Sequence, residues 1–407
     1  MGNKKKRNEH KTFEVSNSTS QAAVAFTSDS IISADWKHIV LIALVCLAVY
    51  SNTLYMDFVW DDLPQIKENV LITSLKNIPR ILITEVWKGV KGGEDVAPYY
   101  RPVFTLSLAI DYFFWKLNPL GYHLTNILLH LLVTSGVYML SVRLLKDKPA
   151  ALFSGLVFSV HPVHSEAVSW ISARNESLAA LFMFSSFYLY LLFKEKGNVR
   201  YIGTSLVLFF LALLSKEMAI TLPALLLLFE FCFGTGTWKK KLKWPVLYGT
   251  MIVPYLIART LVLDISSLQN EPVLWRIFTS FGILLNYIRL LIFPVNLKAY
   301  YDVPVQKTFQ APDVLIPLLL LSAVFTAIVF LRKYDKRLFF GLFWILIAVI
   351  PVSGIPVLIL PSPMAERYLY IPSVGFAIAL GAGFSMLMAK TQKAGEFHHP
   401  ALKKKSS

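Results

Sequence analysis

The chain predicts an all-α, polytopic membrane protein. Apolar runs of membrane length recur from end to end, only 16% of its 407 residues are charged, and its mean hydropathy is +0.55. A soluble domain of this size carries more charge and fewer long apolar runs. The two cysteines, Cys46 and Cys232, lie inside apolar runs, with no spacing for a metal site or a disulfide framework.

Residues 1–36 are polar and basic, without the apolar core of a signal peptide, and Lys6 breaks the N-myristoylation pattern. They read as a disordered cytosolic tail. Spans follow at 38–56, 122–144, 149–163, 175–194, 200–214, 218–234, 245–263, 313–332, 338–356 and 368–389. Two more apolar stretches, 101–117 and 273–293, carry polar faces on a helical wheel. Arg101, Thr105, Asp111 and Lys116 cluster on the first, and Arg276, Thr279, Ser280, Asn286 and Arg289 on the second. Both read as interfacial helices. The membrane domain is thus 37–390, followed by a basic cytosolic tail, 391–407.

Charge asymmetry supports about ten spans plus two interfacial helices. With a cytosolic N-terminus, 25 of the 40 Lys/Arg fall in cytosolic segments, and the net charges become +16 inside and −1 outside. If 101–117 spanned alone, KDK, KEKGNVR and KKKLK would all move outside. The net +15 is therefore an orientation signal and not a nucleic-acid footprint. The long outer connections are 57–121 and 264–312, and long ordered loops usually carry function.

Four groups on the outer side could carry chemistry. In FVWDDLPQIKENV (58–70), Asp62 resembles a helix cap, with Pro64 in the first turn and Gln65 completing a capping box. One helix needs one cap, which leaves Asp61 as a candidate general base, its pKa raised by partial desolvation and an acidic neighbour. SVHPVHSEAVSWISARNES (159–177) holds His161, His164, Glu166, Arg174 and Glu176. Pro162 between the histidines argues against a zinc-binding helix, and no metal is assigned. Lys216 and Glu217 follow a span too short to reach the outer surface. They either neutralise each other or line a cavity for an anionic lipid head group. Glu366 and Arg367 precede the last span, where Arg367 suits a phosphate or an interfacial anchor. A cavity open to lipid and to the outer face suits a lipid-phosphate substrate: a base for an acceptor hydroxyl and cations for a leaving phosphate. A transporter, the rival, would favour midplane charges and internal repeats, and the sequence has no such repeat.

The motifs FVWDDLPQIKEN, YYRPVFTLSLAIDYFFW, GYHLTNILLH, HPVHSEAVSWISARNE, LSKEMAITLPALLLLFE and MAERYLYIPSVGF occur in that order. Across about residues 38–390 the chain resembles the membrane domain of the transmembrane O-mannosyltransferases that target cadherins, and their prokaryotic relatives. The resemblance implies the GT-C fold, shared with dolichyl-phosphate-mannose protein mannosyltransferases. It also implies inverting transfer of mannose from a polyprenyl (dolichyl or undecaprenyl) phosphate carrier to Ser/Thr hydroxyls, with Asp61 matching the proposed base and Asp62 its acidic neighbour. Charge and side, not the family, nominate Arg101, His161, His164, Glu166, Arg174, Lys216, Glu217, Glu366 and Arg367 for the donor. No cofactor is expected. The family's tetratricopeptide array is absent after the last span, so a protein, glycan or lipid acceptor stays open, as does a flippase of lipid-linked sugar. The terminal KKKSS reads as an endoplasmic reticulum retrieval signal or as a basic juxtamembrane tail. The missing array tilts the expectation to a prokaryotic plasma membrane, with both termini cytosolic.

Overall fold

Proline and short polar side chains set the helix starts. Proline falls in the first turn of six long helices, where a missing N–H costs nothing. Asn118 and Asp147 also cap two of these, and Asn198 and Asp335 cap two others, each side chain accepting a backbone N–H two or three residues on. The structure, a computed structural model, describes residues 35–90, 98–263, 271–356 and 363–398, with side chains to Thr391. Most of the two expected cytosolic tails lies outside these residues. Among the described residues the regular elements are all helical.

The helices are α1 (Trp36–Tyr50), α2 (Ile78–Ile81), α3 (Pro102–Trp115), α4 (Pro119–Leu145), α5 (Lys148–Val160), α6 (Ser165–Ser169) and α7 (Arg174–Lys196). They continue with α8 (Val199–Ser215), α9 (Leu222–Phe233), α10 (Trp238–Val262), α11 (Val273–Ile292), α12 (Pro312–Leu331), α13 (Lys336–Val349) and α14 (Pro372–His398). Six expected spans, 38–56, 122–144, 175–194, 245–263, 313–332 and 368–389, coincide with helices long and apolar enough to cross a membrane. Exposed Leu319, Phe325 and Phe330 on α12 and Val253, Ile257 and Leu261 on α10 make sense only against lipid. The chain is an all-α integral membrane protein.

Two expectations change. The spans expected at 149–163, 200–214, 218–234 and 338–356 are short helices: α5, α8, α9 and α13 have 13, 17, 12 and 14 residues. At 1.5 Å per residue these reach about 18–26 Å, short of a hydrocarbon core of about 30 Å. Each has an end where the chain turns into 3₁₀ geometry: Pro162–His164 after α5, Glu217–Thr221 between α8 and α9, Ile350–Val352 after α13. The stretch 273–293, expected to lie flat, forms α11, which is long and apolar enough to cross. Three of its five polar positions need no water, because Thr279, Ser280 and Asn286 donate to backbone carbonyls of their own helix. The other expected interfacial stretch, 101–117, is the 14-residue α3, which packs on α4, α7 and α8.

α4 is central, packing against α1, α5 and α7; α14 lies on α5 and α13, and α7 pairs with α8. Without a hydrophobic driving force between helices in lipid, close approach and internal hydrogen bonds must hold the bundle. Both are present. Ser186 and Ser205 donate reciprocally to each other's carbonyls at 2.8 and 2.5 Å, joining α7 to α8, and Tyr248 of α10 completes the group. α13 and α14 cross where Gly341 faces Gly375. A Cβ at position 341 would lie 2.6 Å from the Gly375 carbonyl, and one at 375 would meet the Gly341 carbonyl.

The connections sort by chemistry. Those joining α4 to α5, α7 to α8, α9 to α10 and α12 to α13 carry the basic clusters. They are tied together by Lys194–Glu230 at 2.7 Å, by Arg143 with Glu195, and by Arg337 donating to the Leu145 carbonyl at 3.0 Å. The 3₁₀ turns and the Asp61–Asp62 loop occupy the other end. Gly375→Val should push α13 off α14 and cost about 1–3 kcal/mol, read as a lower unfolding temperature in detergent. Gly383→Val, with open space around its position, should leave it unchanged.

Candidate active site

The Asp61–Asp62 loop begins with a tight turn. The Asp62 amide donates to the Val59 carbonyl at 2.9 Å, and Trp60 inside the turn takes φ 48°, a left-handed value that bulky residues rarely adopt. Asp62 is fully buried. It starts the turn Leu63–Lys67 but makes no side-chain cap there, which corrects the capping-box expectation. Its carboxylate instead accepts from the Val59 amide at 3.1 Å and, 110 residues away, from the Ser172 amide at 2.8 Å and hydroxyl at 2.6 Å. The Asp62 side chain therefore bolts the first loop to the turn Ile171–Ala173. Burial pushes its pKa up, the three hydrogen bonds oppose this, and the charge of Asp61 adds to it.

Asp61 is half-buried, and its carboxyl makes no hydrogen bond among the described residues. Burial raises its pKa and the Arg367 charge opposes the rise, with burial dominant. The carboxyl is thus held by its neighbour's anchoring and left with its own lone pairs open.

Three ion pairs form the rest of the site, each joining residues distant in sequence. Arg101, before α3, grips Glu217 with two hydrogen bonds, Nε–Oε2 at 3.0 Å and Nη2–Oε1 at 2.5 Å. Lys216 pairs with Glu176 of α7, both buried, and Glu176 Oε2 has no hydrogen-bond partner among the described residues. Arg367 pairs with Glu166 of α6 and donates its backbone amide to the same carboxylate at 2.9 Å. Aromatic rings knit the cations together. Arg367 lies over Trp170 at 5.1 Å and Tyr368 at 5.0 Å, Lys216 over Tyr368 at 4.8 Å, and Arg101 over Tyr99 at 4.1 Å. Trp60 meets Trp170 edge-on at 5.7 Å. Beside Arg367, burial opposes the charge, but Tyr368, Glu166 and Glu176 hold its pKa above the usual arginine value.

Of the sequence-nominated residues, the structure brings Asp61, Arg101, Glu166, Glu176, Lys216, Glu217 and Arg367 together. Asp62 lies behind them. The others are elsewhere and already engaged. His161 binds the Leu291 carbonyl at 3.0 Å and His164 the Ser373 hydroxyl at 2.8 Å, both packed in the interior. Arg174, fully buried, pairs with Asp111 at 2.6 Å and donates to Asn126 at 2.7 Å and the Tyr122 carbonyl at 2.9 Å. Glu366 accepts from the Lys298 amide and the Tyr301 hydroxyl, both at 2.6 Å, clipping down the strap after α11. Sequence reasoning missed Ser172, Trp60, Trp170, Tyr99 and Tyr368. Trp60 and Tyr368 could have been found as aromatic neighbours of Asp61 and Arg367; Ser172 carries no such signal.

An apolar groove of about 540 Å³ lies between α11, α12 and α13, lined by Phe281, Tyr287, Leu321, Phe325 and Leu346 and ending at Ile350 and Ser353. The turn Ile350–Val352 packs against Glu217–Thr221. Tyr287 lies within electrostatic reach of Tyr368 and Arg367. The groove's head therefore adjoins the ion pairs.

The acids and cations thus cluster at one end of a membrane bundle, and the chain is similar to known proteins over most of its length. Residues 105–262 match the family model described as dolichyl-phosphate-mannose-protein mannosyltransferase. The chain is similar to protein O-mannosyl-transferase TMTC3 of Mus musculus, 26% identical over 402 residues, covering 88% of this chain and 43% of that protein. It is also similar to protein O-mannosyl-transferase TMTC2 of Homo sapiens, 37% identical over 145 residues, covering 36% and 17%. The chain thus spans less than half the length of these relatives. A solved structure, ArnT from Cupriavidus metallidurans bound to undecaprenyl phosphate, aligns with 91% of this chain and 67% of its own at 15% identity and TM-score 0.49. The resemblance to the O-mannosyl-transferases read from the motifs extends across nearly the whole chain.

Asp62→Ala should strand the Ser172 amide and hydroxyl and cost about 1–3 kcal/mol, whereas Asp61→Asn should change stability by no more than about 0.5 kcal/mol. Thermal unfolding of the two purified variants in detergent checks the contrast.

Proposed function

We propose that this protein is an inverting GT-C glycosyltransferase that moves a sugar, mannose by its relatives, from a polyprenyl-phosphate carrier to a hydroxyl acceptor such as Ser or Thr of a protein. The observation that carries the reading is Asp61: a half-buried carboxyl with open lone pairs that feels the Arg367 charge, in a site whose ion pairs of Arg101 and Lys216 adjoin an apolar groove. The basic connections at the opposite end support a cytosolic assignment for that end, which leaves the site on the outer or lumenal face.

The chemistry needs two things from the protein. Asp61 takes the proton of the acceptor hydroxyl as its oxygen attacks the anomeric carbon, and its raised pKa makes it a stronger base than a surface aspartate. The bond from the anomeric carbon to the phosphate oxygen breaks, the electron pair leaves with the phosphate, and Arg101, Lys216 and Arg367 offset the growing negative charge. A phosphate leaves as an anion without a protonated acid, so one base suffices. The groove between α11, α12 and α13 suits the prenyl tail. Remaining bonded to Ser172, Asp62 keeps the base's loop in place.

Purified protein in lipid vesicles, given labelled polyprenyl-phosphate mannose and a hydroxyl acceptor, should release polyprenyl phosphate. Asp61→Asn should slow release by about 10²–10⁴-fold without loss of folded protein. Carrier crossing the bilayer with no bond cleaved, unaffected by Asp61→Asn, would select a flippase and discard this reading. The acid limb of kcat/KM should titrate above 3.8, the ordinary aspartate value, because the base must be ionised and burial raises its pKa. A limb at or below that value would remove Asp61 from the role.

A further inference from the structure

Resting on that reading, we infer that Arg101 seats the donor's phosphate, and that Glu217 is an internal stand-in which the phosphate displaces and which later helps to expel the spent carrier.

The charges of the site favour a displacement. Arg101, Lys216 and Arg367 are each already paired with a carboxylate, and Asp61 adds a fourth acid. The cluster therefore carries net charge −1 before any anion arrives. A sugar phosphodiester brings one more negative charge, and a carboxylate that releases its cation makes room for it.

The three pairs differ in how readily they part. Glu176 is fully buried and its lysine is 3% exposed, so separating them strands two charges away from water. Glu166 is 10% exposed and also holds the Arg367 amide, so it is fixed at two points. The Glu217 side chain is 38% exposed while Arg101 is 12% exposed. If Arg101 turns to another anion, Glu217 can pass into water and Arg101 stays where it is.

The geometry of the pair matches the ligand. Arg101 presents two parallel N–H groups to two oxygens of Glu217, the fork that also binds two oxygens of a phosphate. Tyr99 stacked on the guanidinium holds its plane. Glu217 begins the turn Glu217–Thr221, which packs against Ile350–Val352 at the groove's head, so a phosphate at Arg101 leaves its tail an adjacent apolar path. Cleavage turns the phosphodiester into a monoester whose second ionisation lies near pH 6, so the product is held more strongly than the donor. A carboxylate waiting to reclaim Arg101 counters that retention.

The test measures binding of polyprenyl phosphate, and of uncharged polyprenol, to the full chain in lipid nanodiscs. Glu217→Gln should bind polyprenyl phosphate about tenfold more tightly, with polyprenol unchanged, and steady-state release should show a burst followed by a slower rate. Arg101→Gln should lose the preference for phosphate over polyprenol, and adding Glu217→Gln to it should have no further effect. Unchanged or weaker phosphate binding by Glu217→Gln, at the wild-type unfolding temperature, would overturn the inference while leaving the enzyme reading intact. If that variant does not fold, Glu217→Ala is held to the same comparison, and a wild-type phosphate preference in Arg101→Gln overturns the inference independently. Wild-type protein that binds polyprenol and polyprenyl phosphate alike would bring down both.

Discussion

Charge at membrane depth is the constraint on which the architecture turns. An isolated carboxylate or ammonium there is costly, so each must pair, reach water or neutralise. The short helices α5, α8, α9 and α13 end before the membrane would, and the turns that follow α5 and α8 bring ionisable residues of α6 and of the α8–α9 connection to a shared recess at the start of α7. Glu166, Glu176, Lys216 and Glu217 are brought together there because the chain reverses early. Full-length spans would have carried the same residues into the aqueous loops, where their pairing would be worth little.

Within that recess the acids divide by what surrounds them. Asp62 is bound by three donors and becomes a structural rivet between the first loop and Ile171–Ala173. Asp61, one residue away, keeps an open carboxyl and feels Arg367 across the gap. Fixing one carboxylate so that its neighbour can be positioned without partners is a way to present an open carboxyl near the interface without flexible loop ends. Arg174 shows the same economy in reverse. It consumes its donors on Asp111, Asn126 and the Tyr122 carbonyl, locking α3, α4 and α7 together below the site.

Much of the candidate site was legible as type and side, and much less as partnership. Asp61, Lys216 and Arg367 were nominated by charges that sat where apolar runs end, and the structure gathers them. His161 and His164 were nominated by the same logic and lie in the interior, because a histidine can be satisfied by one carbonyl or hydroxyl and buried neutral, a distinction that periodicity does not carry. The capping-box pattern at Asp62 failed because Ser172, a residue with no local signal, offers two better donors than the turn's own amides.

The sequence by itself determined the helical class, most of the spans, the sorting of the basic connections and the candidate-site connections to opposite ends, and the resemblance to the O-mannosyl-transferases. These follow from composition, apolar run length and motif order, all of which are local or additive along the chain. Only the tertiary structure decided which cation meets which acid, that Thr279, Ser280 and Asn286 of α11 bond within their own helix, and that an apolar groove leads to the charged cluster. Those outcomes depend on residues 40–201 positions apart meeting in space, and on desolvation, which no single segment of sequence can report.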